Sequence, residues 1–126
     1  LWMQRHRSEM ADQMVYVFRN GKVAYSCKTI SGRPVEGRST PTGAYFIKEH
    51  NTHRVLKGEN YETPVDSWVR ITWSGTGFHA APWQSWSSWT KDYYKVRGSH
   101  GCLNLEPSVA KKIYDMVKYR EAVFIH

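Results

Sequence analysis

The sequence predicts a mainly β domain with one substantial helix, and two features of its pattern carry that prediction. Several short β-branched and aromatic segments are separated by Gly, Asn and Pro, as is typical of strands joined by turns. Only the segment after Pro107 repeats apolar residues at helical spacing. A chain of 126 residues is normally one domain with a single hydrophobic core, so we expect residues 1–126 to form one domain.

The first predicted element is a β-hairpin. Met14 to Phe18 is a β-branched and aromatic run, and Val23 to Cys27 returns after Asn20-Gly21, which supplies residues that tolerate positive φ. Residues 31–43 are rich in Gly, Pro, Ser and Thr and predict a loop. Residues 44–47 then resume a strand.

The middle of the chain predicts a long surface segment followed by two strands. Residues 49–66 are polar and broken by Gly58 and Pro64, so we expect a loop, and loops of that length are often functional lids. Residues 68–73 and 76–79 have the composition of strands.

Aromatic and polar residues mix without a fixed period over 81–98, which favours a partly exposed loop. The predicted helix follows, with Pro107 in its first turn and an apolar face of Val109, Ile113, Met116 and Val117. Residues 122–125 close the chain with a short apolar strand.

The composition restricts the partners without choosing one. The formal net charge of +7 favours polyanionic surroundings, but the basic residues are scattered rather than gathered in a stripe. No apolar run is long enough to cross a bilayer. The chain begins at Leu1, and we expect it to be a fragment of a longer exported protein, with any membrane anchor outside this sequence.

The two cysteines have different surroundings. Cys27 lies in an alternating strand pattern, which favours a buried structural thiol. Cys102 lies in Ser99-His100-Gly101-Cys102-Leu103-Asn104. A nucleophilic cysteine needs a base or a positive field nearby, and His100 lies two positions away, on the same face if the segment is extended. Gly101 permits a tight turn there, which would make or remove that contact.

A second histidine, His79, ends another predicted strand and could meet Cys102 from a neighbouring strand. A competing interpretation is a metal site built from the histidines and Cys102. The pairs His50 with His53 and His100 with Cys102 have short spacings, but neither spacing is a recognised zinc pattern.

The ordered set of motifs resembles the L,D-transpeptidase catalytic domain, the YkuD-like family, over nearly the whole chain. The matching motifs are His79 followed downstream by Ser-His-Gly-Cys-Leu-Asn, the hairpin around Asn20-Gly21, Thr40-Pro41-Thr42-Gly43, Phe78 to Trp83, and Pro107-Ser108-Val109-Ala110. The resemblance implies an L,D-transpeptidase-type β-sandwich with its principal helix after the catalytic motif. Nineteen residues separate His79 from Ser99, slightly more than the family's usual spacing, which affects the expected pocket shape.

Carried over by position, the resemblance implies that Cys102 is the nucleophile and His79 its base, oriented by the main-chain carbonyl of Ala80. Ser99 and His100 would support the site, while Gly101 and Cys102 would offer backbone N–H groups to an oxyanion. Further matches are Tyr61, a lid tyrosine near the oxyanion, and Trp83 and Asn104, which would contact substrate. Tyr61 could equally be an exposed loop aromatic, and Trp83 a core or rim residue.

The resemblance implies acyl transfer on peptidoglycan stem peptides. A tetrapeptide donor would lose its terminal D-alanine, a diamino-acid acceptor would complete a 3→3 cross-link, and carbapenems would inhibit. No metal or organic cofactor is needed, and the location would be extracytoplasmic, in the cell wall or periplasm. An L,D-carboxypeptidase or a wall-anchoring transferase would use the same site.

Two other classes compete with this prediction. Papain-like wall peptidases place Cys before His, the reverse of the order here. A non-catalytic module that binds wall polymer or nucleic acid would leave the Ser-His-Gly-Cys arrangement unexplained, so no nucleic-acid partner is expected.

Overall fold

Two β-sheets and one principal helix make up the fold in this computed structural model, which describes residues 6–58 and 61–126. The strands are β1 His6–Glu9, β2 Met14–Arg19, β3 Lys22–Lys28, β4 Gly43–Phe46, β5 Glu49–Gly58, β6 Tyr61–Arg70, β7 Gly77–Ala80, β8 Leu103–Leu105 and β9 Ala122–Ile125. The helices are α1 Tyr94–Arg97 and α2 Pro107–Met116, and a 3₁₀ turn covers Trp86–Ser88. The predicted mainly β class with one main helix is confirmed.

The sheets have different sizes and mixed strand directions. The first has the order β3-β2-β1-β9-β4, and the second has the order β5-β6-β7-β8. The pairs β1–β9 and β7–β8 are parallel, and the other pairs are antiparallel. The parallel β7–β8 pair sets His79 opposite Asn104 and thereby assembles the centre of the site.

The core lies between the sheets and includes the inner face of α2. Val15 and Val123 come from the larger sheet, and Val69 and Leu103 come from the smaller one. Ile113 of α2 is buried in the same cluster, and Val109, Met116 and Val117 also pack there, which confirms the predicted apolar helix face. No helix among the described residues is long and apolar enough to cross a membrane.

The predicted first hairpin is confirmed as β2 and β3. Asn20 and Gly21 have φ of 54° and 75° at its turn, where the two residues must adopt left-handed backbone. The predicted closing strand is β9, and the aromatic stretch 81–98 is indeed half-buried to exposed around its short helical turns, apart from buried Ala81.

The prediction of a loop over residues 49–66 is wrong. Residues 59 and 60 lie outside the described part of the chain, and the other residues of this range form most of the long β5–β6 hairpin, whose register runs from Glu49↔Arg70 to Gly58↔Tyr61. Polar residues are tolerated because much of the hairpin is solvated, and cross-strand pairs such as His53 Nδ1 with Asp66 Oδ1 at 2.9 Å join its strands. The predicted strand over 68–73 also ends early, because residues 72–76 form a tight turn.

A short extended segment, residues 29–33, shapes the loop that holds the Cys102 motif. Ile30 pairs with Asn104 and Gly32 pairs with Ser99, so both ends of the motif are fixed to the same segment. Between these ends the chain passes close to Gly32, where a Cβ atom would lie 2.9 Å from the Gly101 Cα. The shape of this loop therefore depends on glycine at position 32.

Gly32→Ala is expected to lower the free energy of unfolding by about 3 kcal/mol or more, because the added methyl group overpacks the backbone. Its Cβ would lie 1.8 Å from the Arg38 carbonyl oxygen, which cannot move without shifting the main chain. Gly37→Ala is the comparison for backbone strain alone, with an expected loss of about 1–2 kcal/mol, since position 37 has φ of +82° and no atom within 4 Å of the added Cβ. Chemical denaturation measures both variants, and equal losses of stability would contradict the steric explanation.

Candidate active site

One cleft of about 640 Å³ contains every site residue predicted from the sequence. The residues that line it include Tyr61, His79, Trp83, Ser99, His100, Gly101, Cys102 and Asn104. Further lining residues come from the β6–β7 turn and from the segment before the motif, among them Gly75, Gln84 and Arg97. The fold therefore gathers predicted site residues that are far apart in the sequence, from Tyr61 to Asn104.

Cys102 lies directly before β8, half-buried on the floor of this cleft. Its Sγ contacts the Gly75 carbonyl oxygen at 3.6 Å, as a weak thiol donor would. Burial raises the pKa of the Cys102 thiol above its ordinary value, and a backbone hydrogen bond from Gly77 and the charge of Arg70 offset this only in part. The thiol therefore carries its proton near neutral pH.

His79 is held in a single tautomer on β7. The residue is 2% exposed, and its Nδ1–H donates a hydrogen bond to the Ala80 carbonyl oxygen at 2.8 Å, the contact implied by the resemblance. Burial lowers the pKa of His79, although the bond to Ala80 works in the opposite direction. The imidazole is consequently neutral near neutral pH, with Nε2 free of a proton and able to accept one.

Two amide side chains form a hydrogen-bonded chain that leads away from His79 Nε2. Asn104 Nδ2 lies 3.3 Å from His79 Nε2, and Gln84 Nε2 donates to Asn104 Oδ1 at 3.0 Å. Because Nε2 has no proton, the Asn104 amide is the donor, so the direction of each bond in the chain is defined. Asn104 was expected to contact substrate, but it is buried and hydrogen-bonded to His79. Gln84 was not predicted as a site residue, because nothing in its sequence context marks it.

Ser99 fixes the backbone on both sides of the nucleophile. Its Oγ accepts the Gly101 N–H at 3.1 Å and donates to the Cys102 carbonyl oxygen. The Gly101 N–H is thus already occupied, which corrects the expectation that both N–H groups face an oxyanion. The Cys102 N–H has no partner among residues 6–58 and 61–126 and remains available.

His100, Tyr61 and Trp83 form the rim of the cleft. The His100 ring is exposed and lies 5.5 Å from the Tyr61 ring between centroids. Trp83 is 54% exposed, so it is a rim residue rather than a core residue, and its ring lies 5.8 Å from that of His79. Tyr61 is the first residue of β6, so among the described residues the predicted lid is a strand end rather than a loop.

Arg70 supports the turn that faces the thiol, a role that the sequence did not indicate. Its Nη1 donates to the carbonyl oxygens of Thr72 and Trp73, at 3.3 Å and 3.1 Å, within the turn that presents Gly75. Glu49 pairs with Arg70, and although burial alone would raise the pKa of Glu49, hydrogen bonds from Trp68 and Arg70 lower it. The carboxylate stays charged and keeps the arginine in place.

The alternative of a metal site is not supported by the arrangement of the histidines and Cys102 in the described residues. No group of three His, Cys, Asp or Glu side chains in the described part of the chain could hold an ion. His50 stacks on Tyr114 with ring centroids 3.8 Å apart, and His53 bonds Asp66, so these two histidines have other partners.

A thiol and a tautomer-fixed imidazole line one cleft, and these are the groups expected of the class of cysteine-nucleophile sites. Within that class, the model of the L,D-transpeptidase catalytic domain, YkuD, matches residues 8–125. The chain belongs to this family.

Individual relatives agree with the family match. L,D-transpeptidase 2 of Mycobacterium tuberculosis is 34% identical in an alignment 116 residues long, which covers 82% of this chain and 26% of the relative. The crystal structure of a Cys-to-Ser mutant of Enterococcus faecium L,D-transpeptidase is 33% identical with a TM-score of 0.90, over 98% of this chain and 49% of that one. The E. faecium catalytic domain acylated by ertapenem is 32% identical with a TM-score of 0.78, over 97% and 95% of the two chains.

Proposed function

We propose that residues 1–126 are the catalytic domain of a peptidoglycan L,D-transpeptidase in which Cys102 is the nucleophile and His79 is the general base. The observation that carries the proposal is the presence of the Cys102 thiol and the unprotonated His79 Nε2 in one open cleft. The chain spans about a quarter of the curated relative and half of the crystallised one, so substrate and partners are part of the proposal.

The proton moves during attack rather than before it. Burial raises the pKa of Cys102 and lowers the pKa of His79, and both shifts favour the neutral thiol and imidazole over an ion pair. The hydrogen bond from Asn104 to His79 Nε2 must break as that nitrogen takes the proton from sulfur. The Ala80 carbonyl then stabilises the imidazolium through Nδ1.

The first half of the reaction forms a thioester on the donor stem. Cys102 Sγ bonds to the carbonyl carbon of the third residue, the C–N bond to the terminal D-alanine breaks, and His79 returns its proton to the leaving amine. The developing oxyanion accepts a hydrogen bond from the Cys102 N–H, and the Tyr61 hydroxyl at the rim donates a second one. Trp83 contacts the stem peptide at the rim, while Ser99, Gly101 and His100 hold the motif around the nucleophile.

The second half resolves the thioester. The side-chain amine of another stem's third residue attacks, the C–S bond breaks, and a 3→3 cross-link results. Each proton is carried by His79, and no step requires a metal or an organic cofactor. The substrate lies outside the cytoplasm in the wall or periplasm, where the charge of +7 favours anionic wall polymers.

Carbapenems are proposed inhibitors because the carbonyl of their strained ring amide can be attacked by Cys102 in the same way as the stem-peptide carbonyl. The family relative acylated by ertapenem supports this extension. Their acyl group would stay on sulfur, which makes ertapenem a direct probe of the nucleophile.

Incubation with a disaccharide-tetrapeptide, followed by mass spectrometry of the products, tests the proposed reaction. A dimer that lacks one D-alanine is the expected product. A disaccharide-tripeptide alone would instead identify an L,D-carboxypeptidase, and transfer only to an added protein amine would identify a wall-anchoring transferase. Unchanged substrate would contradict all three activities.

The rate of acylation should stay nearly constant from about pH 7 to pH 9. His79 must be unprotonated to act as a base, and its pKa lies below the ordinary 6.5, so activity is lost only as pH falls through that lowered value. The Cys102 pKa lies above the ordinary 9.0, so the thiol keeps its proton throughout this range. Rates of ertapenem acylation across pH measure the profile, and a thiolate absorbance already complete at pH 7 would contradict the neutral pair.

A further inference from the structure

Thr40, the first residue of the Thr-Pro-Thr-Gly motif, lies behind the loop that carries Cys102. Its side chain is 3% exposed, and its Oγ1 lies 2.6 Å from the Gly101 carbonyl oxygen and 2.8 Å from the Gly32 nitrogen. The Gly32 N–H can only donate, so Oγ1 accepts a hydrogen bond from it. The hydroxyl in turn donates a hydrogen bond to the Gly101 carbonyl oxygen. Both bonds of the hydroxyl are therefore fixed in direction.

The bond to Gly101 determines where the next N–H points. The peptide bond between Gly101 and Cys102 is trans, so its carbonyl and its N–H point in opposite directions. Gly101 and Cys102 line the cleft, whereas Thr40 is not among the lining residues. Holding the carbonyl toward Thr40 turns the Cys102 N–H away from the protein interior and toward the cleft.

We propose that Thr40 is a positioning residue for the oxyanion hole, which aims the Cys102 N–H by holding the Gly101 carbonyl. This inference rests on the proposed function, because it concerns the acyl-transfer step. Thr40 touches neither the substrate nor the nucleophilic sulfur. It acts on the transition state through the orientation of one peptide plane.

The surroundings of this peptide make the hydroxyl necessary. Ser99 holds the Gly101 N–H and the Cys102 carbonyl but leaves the Gly101 carbonyl to Thr40. Without the hydroxyl, the Gly101 carbonyl and the Gly32 N–H would both lose a partner in the protein interior. Gly101 has φ of +136°, in a region of backbone that glycine occupies readily, so the freed peptide could rotate.

Two reactions at the same sulfur separate positioning from general damage. Acylation by ertapenem passes through an oxyanion, whereas alkylation by iodoacetamide displaces iodide at a saturated carbon and forms none. Thr40→Val keeps the side-chain shape and removes the hydroxyl, so acylation should slow by about 10- to 100-fold. Alkylation of Cys102 should change little, and buried Cys27, with a pKa raised to about 12, should not interfere.

Thr40→Ser keeps the hydroxyl and should acylate at close to the wild-type rate. If Thr40→Val fails to fold, Thr40→Ala compared with Thr40→Ser repeats the test, since these two differ only in the hydroxyl. Equal slowing of both reactions, or unchanged acylation without the hydroxyl, would overturn the proposal for Thr40 alone. A wild-type protein that ertapenem does not acylate would overturn the proposed function and this inference together.

Discussion

Cys102→Ala is expected to abolish the release of D-alanine from a tetrapeptide, a loss of about 10⁴-fold or more, because the covalent route disappears. The side chain is half-buried at the cleft rather than in the core, so the thermal transition should remain cooperative with little loss of stability. Quantifying free D-alanine and recording thermal unfolding on the same preparation measure both effects.

The protein contains its own matched control for this variant. Cys27 is buried in the hydrophobic core, so Cys27→Ala should lower the free energy of unfolding by about 1–2 kcal/mol and leave the chemistry intact. The two cysteine variants should therefore show opposite effects, one on turnover and one on stability. Near-wild-type turnover in Cys102→Ala would remove this sulfur from the mechanism.

His79→Gln should lower the rate of acylation by about 10²- to 10⁴-fold, the range expected when a general base is removed. A buried neutral ring that gives Nδ1–H to Ala80 and leaves Nε2 unprotonated is suited to accept the proton from sulfur. Stopped-flow or mass-resolved kinetics with ertapenem measure the change at pH 7.5.

His100→Gln is the control for the second histidine. Its ring is exposed beside Tyr61, whereas His79 is buried and its tautomer is fixed by Ala80, so acylation should fall far less than in His79→Gln. The reverse order of effects would make His100 the base and would require a different resting arrangement of the loop.

Local sequence signals predicted much of the fold. Asn20-Gly21 has one common structural use between two β-branched runs, and Pro107 with its apolar face defines a helix independently of the rest of the chain. The Ser-His-Gly-Cys motif and His79 were recognised as ordered motifs, and parallel pairing of β7 with β8 brings them together. The turn, the helix and the motif share one property, which is that a few adjacent residues determine each of them, whereas the β7–β8 pairing is a long-range contact.

The failures lie where distant contacts decide the structure. Residues 49–66 form a hairpin because the two strands satisfy each other's backbone, and its solvated faces remove the apolar alternation that usually reveals a strand. The occupied Gly101 N–H, the bond from Gln84 to Asn104 and the support from Arg70 all depend on side-chain geometry. Residue type and spacing do not predict such bonds.

The buried environment also changes how the nucleophile is understood. The sequence predicts that Cys102 needs an activating base or a positive field nearby, which would allow a preformed thiolate. Burial instead favours the neutral forms of both Cys102 and His79, so activation coincides with attack on the substrate carbonyl.

Peptide mapping of the protein after reaction with ertapenem tests the central claim most directly. We predict a single adduct on the peptide that contains Cys102, with the Cys27 peptide unmodified and no adduct in Cys102→Ala. An adduct on any other residue, or an unmodified Cys102 after prolonged exposure of the folded protein, would contradict the assignment of this thiol as the acyl-transferring nucleophile.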